Sequence, residues 1–155
     1  MSAVGKANKR FFPVEAEAIA ARVSAINPVA YAKSRNFLGG SITYLSPYFS
    51  RGVLTLPEVF DALARGSHGF ADCEKLIQEL CWREYYLRVW EAKGDGIFQN
   101  IRQAQWHLGA NGIPHLVLEA STGILALDRE IQALYETGYM HNHARMYLSG
   151  LLCNN

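Results

Sequence analysis

The run from Asp72 to Lys93 sets the class of fold. Leu76, Ile77, Leu80, Cys81, Leu87 and Trp90 recur at helical spacing and supply a core side. On the other side Glu79, Trp82, Arg83 and Tyr86 fall at i, i+3, i+4 and i+7, so they line one continuous stripe. A long helix with two such sides predicts a mainly α chain. The stripe also has an ordinary explanation, in which Glu79 and Arg83 form an i, i+4 ion pair and Trp82 is half-buried packing.

Shorter elements surround this helix. Met1 to Phe12 reads as a mobile tail. From Pro13 the pattern Ile19, Val23, Ile26 among alanines predicts an amphipathic helix that begins at a proline. Asn27-Pro28 caps and opens the next helix, which carries Tyr31, Lys33 and Arg35, and Gly39-Gly40 breaks the chain. In Ser41 to Gly52, Ser46 is the expected N-cap of a short helix opened by Pro47. A loop rich in hydroxyls and main-chain donors at that point suits an anion such as a phosphate, although every short helix needs a cap. Thr55 to Glu58 spells a capping box, and Leu56, Val59, Phe60 and Leu63 give its helix a buried side that ends at Gly66. One helical turn is expected through Arg102, Gln105 and Trp106, and His115 to Glu119 alternates as a short strand.

Near the end of the chain, an apolar-periodic run carrying Ile131, Leu134 and Tyr135 stops at Gly138. The following run places Asn142, Arg145 and Met146 on one helical face. A carboxamide, a guanidinium and a thioether in one stripe are an odd way to build a core; the plain alternative is a solvated helix face.

Composition removes several classes. A chain of 155 residues that is half hydrophobic and 19% charged belongs to a folded globular protein, read here as one mainly helical domain over residues 13–155 after a tail over residues 1–12. The net charge of +1 provides no global pull toward nucleic acid, so any polyanion contact needs a local arginine cluster. Three cysteines without a Cys-x-x-Cys pair suit a reduced, cytoplasmic setting, and no apolar run suggests a leader or a membrane span. No Walker loop or Gly-x-Gly-x-x-Gly occurs. His141 and His143, two apart on a helix, point about 200° from each other, which argues against a shared metal ion.

Three segments in register carry a resemblance. Thr43-Tyr-Leu-Ser-Pro-Tyr-Phe-Ser-Arg-Gly52, Glu79-Leu-Cys-Trp-Arg-Glu-Tyr-Tyr86, and Thr122-Gly-Ile-Leu-Ala-Leu-Asp128 through Thr137-Gly-Tyr-Met-His-Asn-His-Ala-Arg-Met146 resemble the flavin-binding helical domain of the DNA photolyase and cryptochrome family. The likeness covers about residues 20 to 155. It implies FAD as cofactor and DNA containing pyrimidine dimers as partner, with no metal and no membrane. Tyr31 is similar to the tyrosine that contacts the flavin cofactor. Thr43, Tyr44, Leu45 and Ser46 are similar to the loop around its diphosphate; there Tyr44 stands where many photolyases have arginine. Arg83 resembles the arginine at the cofactor phosphate, Asn142 an asparagine facing flavin and substrate, and Arg145 the arginine beside the isoalloxazine. Glu79 resembles the acidic residue that hydrogen-bonds the pyrimidine, with Trp82 and Tyr86 on the DNA side and Met146 against the dimer. The catalytic pair implied is Glu79 and Asn142. His143 occupies a position where arginine is usual.

What the family does with these groups is light-driven electron transfer from reduced FAD to split pyrimidine dimers, with the base taken out of the stack. Two alternatives stand beside it: a cryptochrome-like blue-light sensor without repair, and an inactive helical domain without cofactor. The family's remaining flavin residues fall beyond Asn155. The expectation is therefore a domain incomplete at its C-terminus, whose 155 residues bind FAD weakly or not at all.

Overall fold

The computed structural model describes residues 12–37, 39–99 and 112–154. Among these residues every regular element is helical: α1 (Ala16–Ser24), α2 (Pro28–Ser34), α3 (Ser46–Ser50), α4 (Leu56–Arg65), α5 (Phe70–Lys93), a 3-10 turn (Gly94–Phe98), α6 (His115–Leu118), α7 (Leu125–Thr137) and α8 (Asn142–Asn154). The chain divides into two compact units, Val14–Trp106 and His107–Asn155 with Met1–Pro13. The turn expected through Arg102 and Trp106, and the tail before Phe12, lie outside the described residues.

In the unit Val14–Trp106, α5 packs against α2 and α4, and α1 packs against α4. The local signals for α2 and α4 hold. Asn27 Oδ1 accepts from Ala30 N at 2.9 Å, with Pro28 at the first turn. Thr55 Oγ1 accepts from Glu58 N at 3.4 Å while Glu58 Oε2 accepts from Thr55 N at 2.7 Å, which closes the capping box. Val59 of α4 is fully buried, a burial that stabilises by roughly 1.5–3 kcal/mol relative to exposure.

Several expectations are corrected. The first helix starts at Ala16 with Glu15 at its cap, because the chain arrives extended through buried Pro13. Ser46 is inside α3 and Leu45 holds the cap position: its carbonyl accepts from Tyr48 and Phe49 while its side chain anchors in the core. On α5 the core side is Cys73 and Leu76; Cys81, Leu87 and Trp90 are exposed, since α4 covers the first half of the helix more than the second. Phe60 of α4 is exposed as well.

In the other unit α7 and α8 form an antiparallel hairpin around Val117, Ala120, Leu127, Ile131, Met140 and Ala144, with Leu148, Leu151 and Leu152 against them. Gly138 ends α7 at φ 70°, the left-handed cap that its position after Leu134 and Tyr135 predicts. His115 to Glu119 is not a strand but a helical turn. Val117 and Leu118 donate back to the Pro114 carbonyl, which satisfies backbone groups that an isolated strand would leave unpaired.

Candidate functional site

The loop after α2 is fastened before it is used. Ser34 Oγ donates to the Ala30 carbonyl at 2.8 Å and accepts from Ser41 N at 2.9 Å. A Cβ on Gly40 would overlap the Ser34 carbonyl oxygen, so this approach to the end of α2 needs glycine. The loop then passes beside α2, and Tyr44 sits in the left-handed region at φ 55°. The result is a cleft of about 320 Å³ lined by Tyr31 of α2, by Asn27, by Ser41 to Tyr44, and by Arg22, Ala25 and Ile26 from α1 and its end.

This cleft brings together Tyr31, Thr43 and Tyr44 of the expected cofactor residues. Leu45 and Ser46 lie outside its lining. Leu45 is 1% exposed, its N–H donates to Thr43 Oγ1 at 3.4 Å, and its side chain belongs to the core. Arg83 reaches α3 instead: its Nη2 donates to Ser50 Oγ at 3.3 Å and its guanidinium is 5.4 Å from the Phe49 ring centroid.

The ordinary explanation of Glu79 is also corrected. Its partner is not Arg83. Arg35 Nη2, from the end of α2, lies 3.3 Å from Glu79 Oε1, and Lys75 Nζ lies 4.0 Å from the same oxygen. Arg35 in turn stands 5.9 Å from the Tyr31 ring centroid. Trp82 and Tyr86 stack at 6.0 Å, with Tyr85 edge-on to Trp82 at 5.6 Å, and all three are more than half exposed. Sequence reasoning passed over Tyr85 because it lies off the spacing of the stripe, one position from Tyr86.

The second unit presents Asn142, Arg145 and Met146 on the exposed side of α8, opposite buried Ala144. That face is set from below. Buried Glu130 of α7 accepts from His141 N at 2.8 Å, and His141 Nδ1 accepts from His143 N at 3.2 Å, so the first turn of α8 is capped by an imidazole. Arg145 Nε donates to the Met140 carbonyl at 3.1 Å, and its guanidinium lies 5.9 Å from the Tyr139 ring. Upstream, Asp128 accepts from Thr122 N at 2.8 Å, Thr122 Oγ1 at 2.6 Å and Gly123 N at 3.2 Å. The Thr122 hydroxyl, ahead of the two main-chain donors, holds this carboxyl below its usual range. No group of three His, Cys, Asp or Glu able to hold a metal ion occurs among the described residues, nor is any of their helices long and apolar enough to cross a membrane.

Deoxyribodipyrimidine photo-lyases match most of this sequence. That of Thermus thermophilus is 31% identical over 133 residues, 75% of this chain and 28% of the relative. That of Buchnera aphidicola is 27% identical over 164 residues, 96% of this chain and 33% of the relative. This chain is a photolyase relative. The photolyase of Synechococcus is 28% identical over 133 residues, covering 79% of this chain and 27% of its own length. The chain thus spans about a quarter to a third of the length of the photolyases it matches. No family model matches it, and no solved structure matches it significantly.

The donors in the cleft fit the diphosphate portion of a dinucleotide such as the flavin of photolyases. Arg22 carries a fork of N–H donors, Ser41 and Thr43 carry hydroxyls, and none of the lining residues is a carboxylate.

Proposed function

We propose that this photolyase-like chain holds FAD and presents a pyrimidine dimer in DNA to it, within a light-driven repair flavoprotein, and that residues 13–155 form the helical flavin-binding domain. The observation that supports this best is the cleft that gathers Tyr31 of α2 with Thr43 and Tyr44 of the loop that follows it, three expected cofactor residues, around donors suited to phosphate. Reduced FAD, excited by blue light, supplies the electron that opens the cyclobutane ring.

The chain's own residues bind and orient. Tyr31, Thr43 and Tyr44 meet the phosphates, with Leu45 and Ser46 shaping the loop and Arg83 bracing it through Ser50. Arg145 and Asn142 attend the isoalloxazine, and Asn142 also donates from its amide to a pyrimidine carbonyl. Arg35 and Lys75 both contact Oε1 of Glu79, which leaves Oε2 to accept from a ring N–H of the dimer. Trp82, Tyr86 and Met146 give the extruded bases apolar and aromatic surface; stacking of that kind contributes about 1–3 kcal/mol per base.

The test compares oligonucleotides with and without a cyclobutane dimer by fluorescence anisotropy, with FAD present. The expected result is a preference of several-fold for the dimer, lost in Trp82→Ala. Equal binding of the two DNAs with FAD bound favours a light sensor without repair; equal binding without any flavin spectrum favours a helical domain without cofactor.

A further inference from the structure

We propose that the groove between α4 and α5 docks a partner helix, amphipathic and carrying lysine or arginine at the end that lies over Asp61 and Glu84. The groove has two sections, of about 390 and 220 Å³, which share Phe60 and Ile77 and so run on from one another. Phe60 stays 44% exposed between them. On the α5 side the lining extends from Phe70 to Glu84, a span of roughly 21 Å and the length of about four helical turns. Both long walls are helices, whose main-chain groups are bonded within themselves. An extended peptide would find no backbone partners there, whereas a helix brings its own hydrogen bonds and needs only an apolar face to lay into the groove.

The sign of the partner follows from the rim. The charged residues lining the larger section are both acidic, Asp61 and Glu84, and no carboxylate lines the other section. Asp61 is exposed, and no cation is paired with it among the described residues. Glu84 shares Arg88 with Glu91, at 2.8 and 3.1 Å, so one guanidinium serves two carboxylates. That end of the groove keeps an excess of negative charge, which complements a basic partner and repels an acidic one. The proposal is independent of the flavin reading. At about 100° per residue, Ile77, Leu80, Cys81 and Glu84 centre on the side of α5 opposite Glu79, Trp82, Arg83 and Tyr86. A helix in the groove therefore leaves the stripe assigned to cofactor and pyrimidine open.

Titration of a synthetic helical peptide into the isotope-labelled full chain, followed by two-dimensional amide NMR, tests this. The probe is about four turns long, with leucines along one face and lysines at one end. Saturable shifts are expected at Phe60, Ile77 and Leu80. A version with glutamate for lysine should bind about tenfold more weakly, and one with serine for leucine should not saturate. Asp61→Lys, an exposed change, should weaken the lysine peptide about fivefold and strengthen the glutamate peptide. Phe60→Ser should abolish the shifts, and Asp61→Lys serves if the serine variant does not fold. No saturation by the lysine peptide overturns the proposal, as does equal affinity for the lysine and glutamate peptides or parental affinity in Asp61→Lys. Shifts at Trp82 and Tyr86 in place of the groove residues, or groove shifts that follow the concentration of the chain alone and so report a second copy, overturn it as well.

Discussion

Arg35 Nη2 lies 3.3 Å from Glu79 Oε1 and so ties the end of α2 to the middle of α5. The same arginine stands beside the Tyr31 ring, so the residue proposed for the cofactor and the one proposed for the pyrimidine share a neighbour. The pair is partly exposed, with side chains 19% and 35% accessible, and its contribution to stability is small. Arg35→Met is expected to lower unfolding free energy by about 0.5 kcal/mol in a urea titration. A loss of several kcal/mol would show that the pair acts as a buried one.

Gly40 carries more. Any Cβ there overlaps the Ser34 carbonyl oxygen, so Gly40→Ala must shift the loop that Ser34 and Ser41 hold against α2. The expected cost is about 1–3 kcal/mol in urea, together with amide shifts from Ser41 to Tyr44. Parental stability with an unshifted loop would contradict the fastening.

Asp128 gives the hairpin unit an acid-sensitive joint. Its folded value lies below the ordinary 3.8, so its contribution is fully present above 3.8 and is lost as pH falls through the lower, folded value. The stability gap between the parent and Asp128→Ala should be open at neutral pH and close as pH drops below 3.8. A gap that stays constant through that range would show that the carboxylate's three hydrogen bonds do not depend on its charge.

The thiols should divide by burial. Cys73 is buried, and burial, with Asp72 beside it, pushes its thiol up, whereas Cys81 and Cys153 are exposed. A disulfide reagent is expected to modify Cys81 and Cys153 in the native chain and Cys73 after unfolding. Rapid native labelling of Cys73 would mean that α5 does not seal its first turns.

Much of this was legible in the sequence where the cause was local. The Asn27 and Thr55 caps and the Gly138 stop are settled within a few residues, and each appears in the structure as read. The stripe of Asn142, Arg145 and Met146 is likewise a matter of helical period, and it does fall on one exposed side. What escaped depends on packing across long separations. The exposure of Leu87 and Trp90 is decided by where α4 stops covering α5, and the pairing of Glu79 by how α2 crosses it. Arg22 reads in sequence as an ordinary last-turn cation; only the return of Ser41 to Tyr44 past the end of α1 gives it a cleft. His115 to Glu119 misled because alternation over so short a span is also met by one helical turn.

The central claim is that the chain meets a flavin with the residues named. Titration of FAD into the isotope-labelled chain, read by two-dimensional amide NMR, tests it most directly. The account predicts weak but saturable shifts at Tyr31, Thr43 and Tyr44, and at Asn142 and Arg145, all following one binding curve. Shifts that fail to saturate at millimolar FAD, or that saturate elsewhere and leave these residues unmoved, would contradict it.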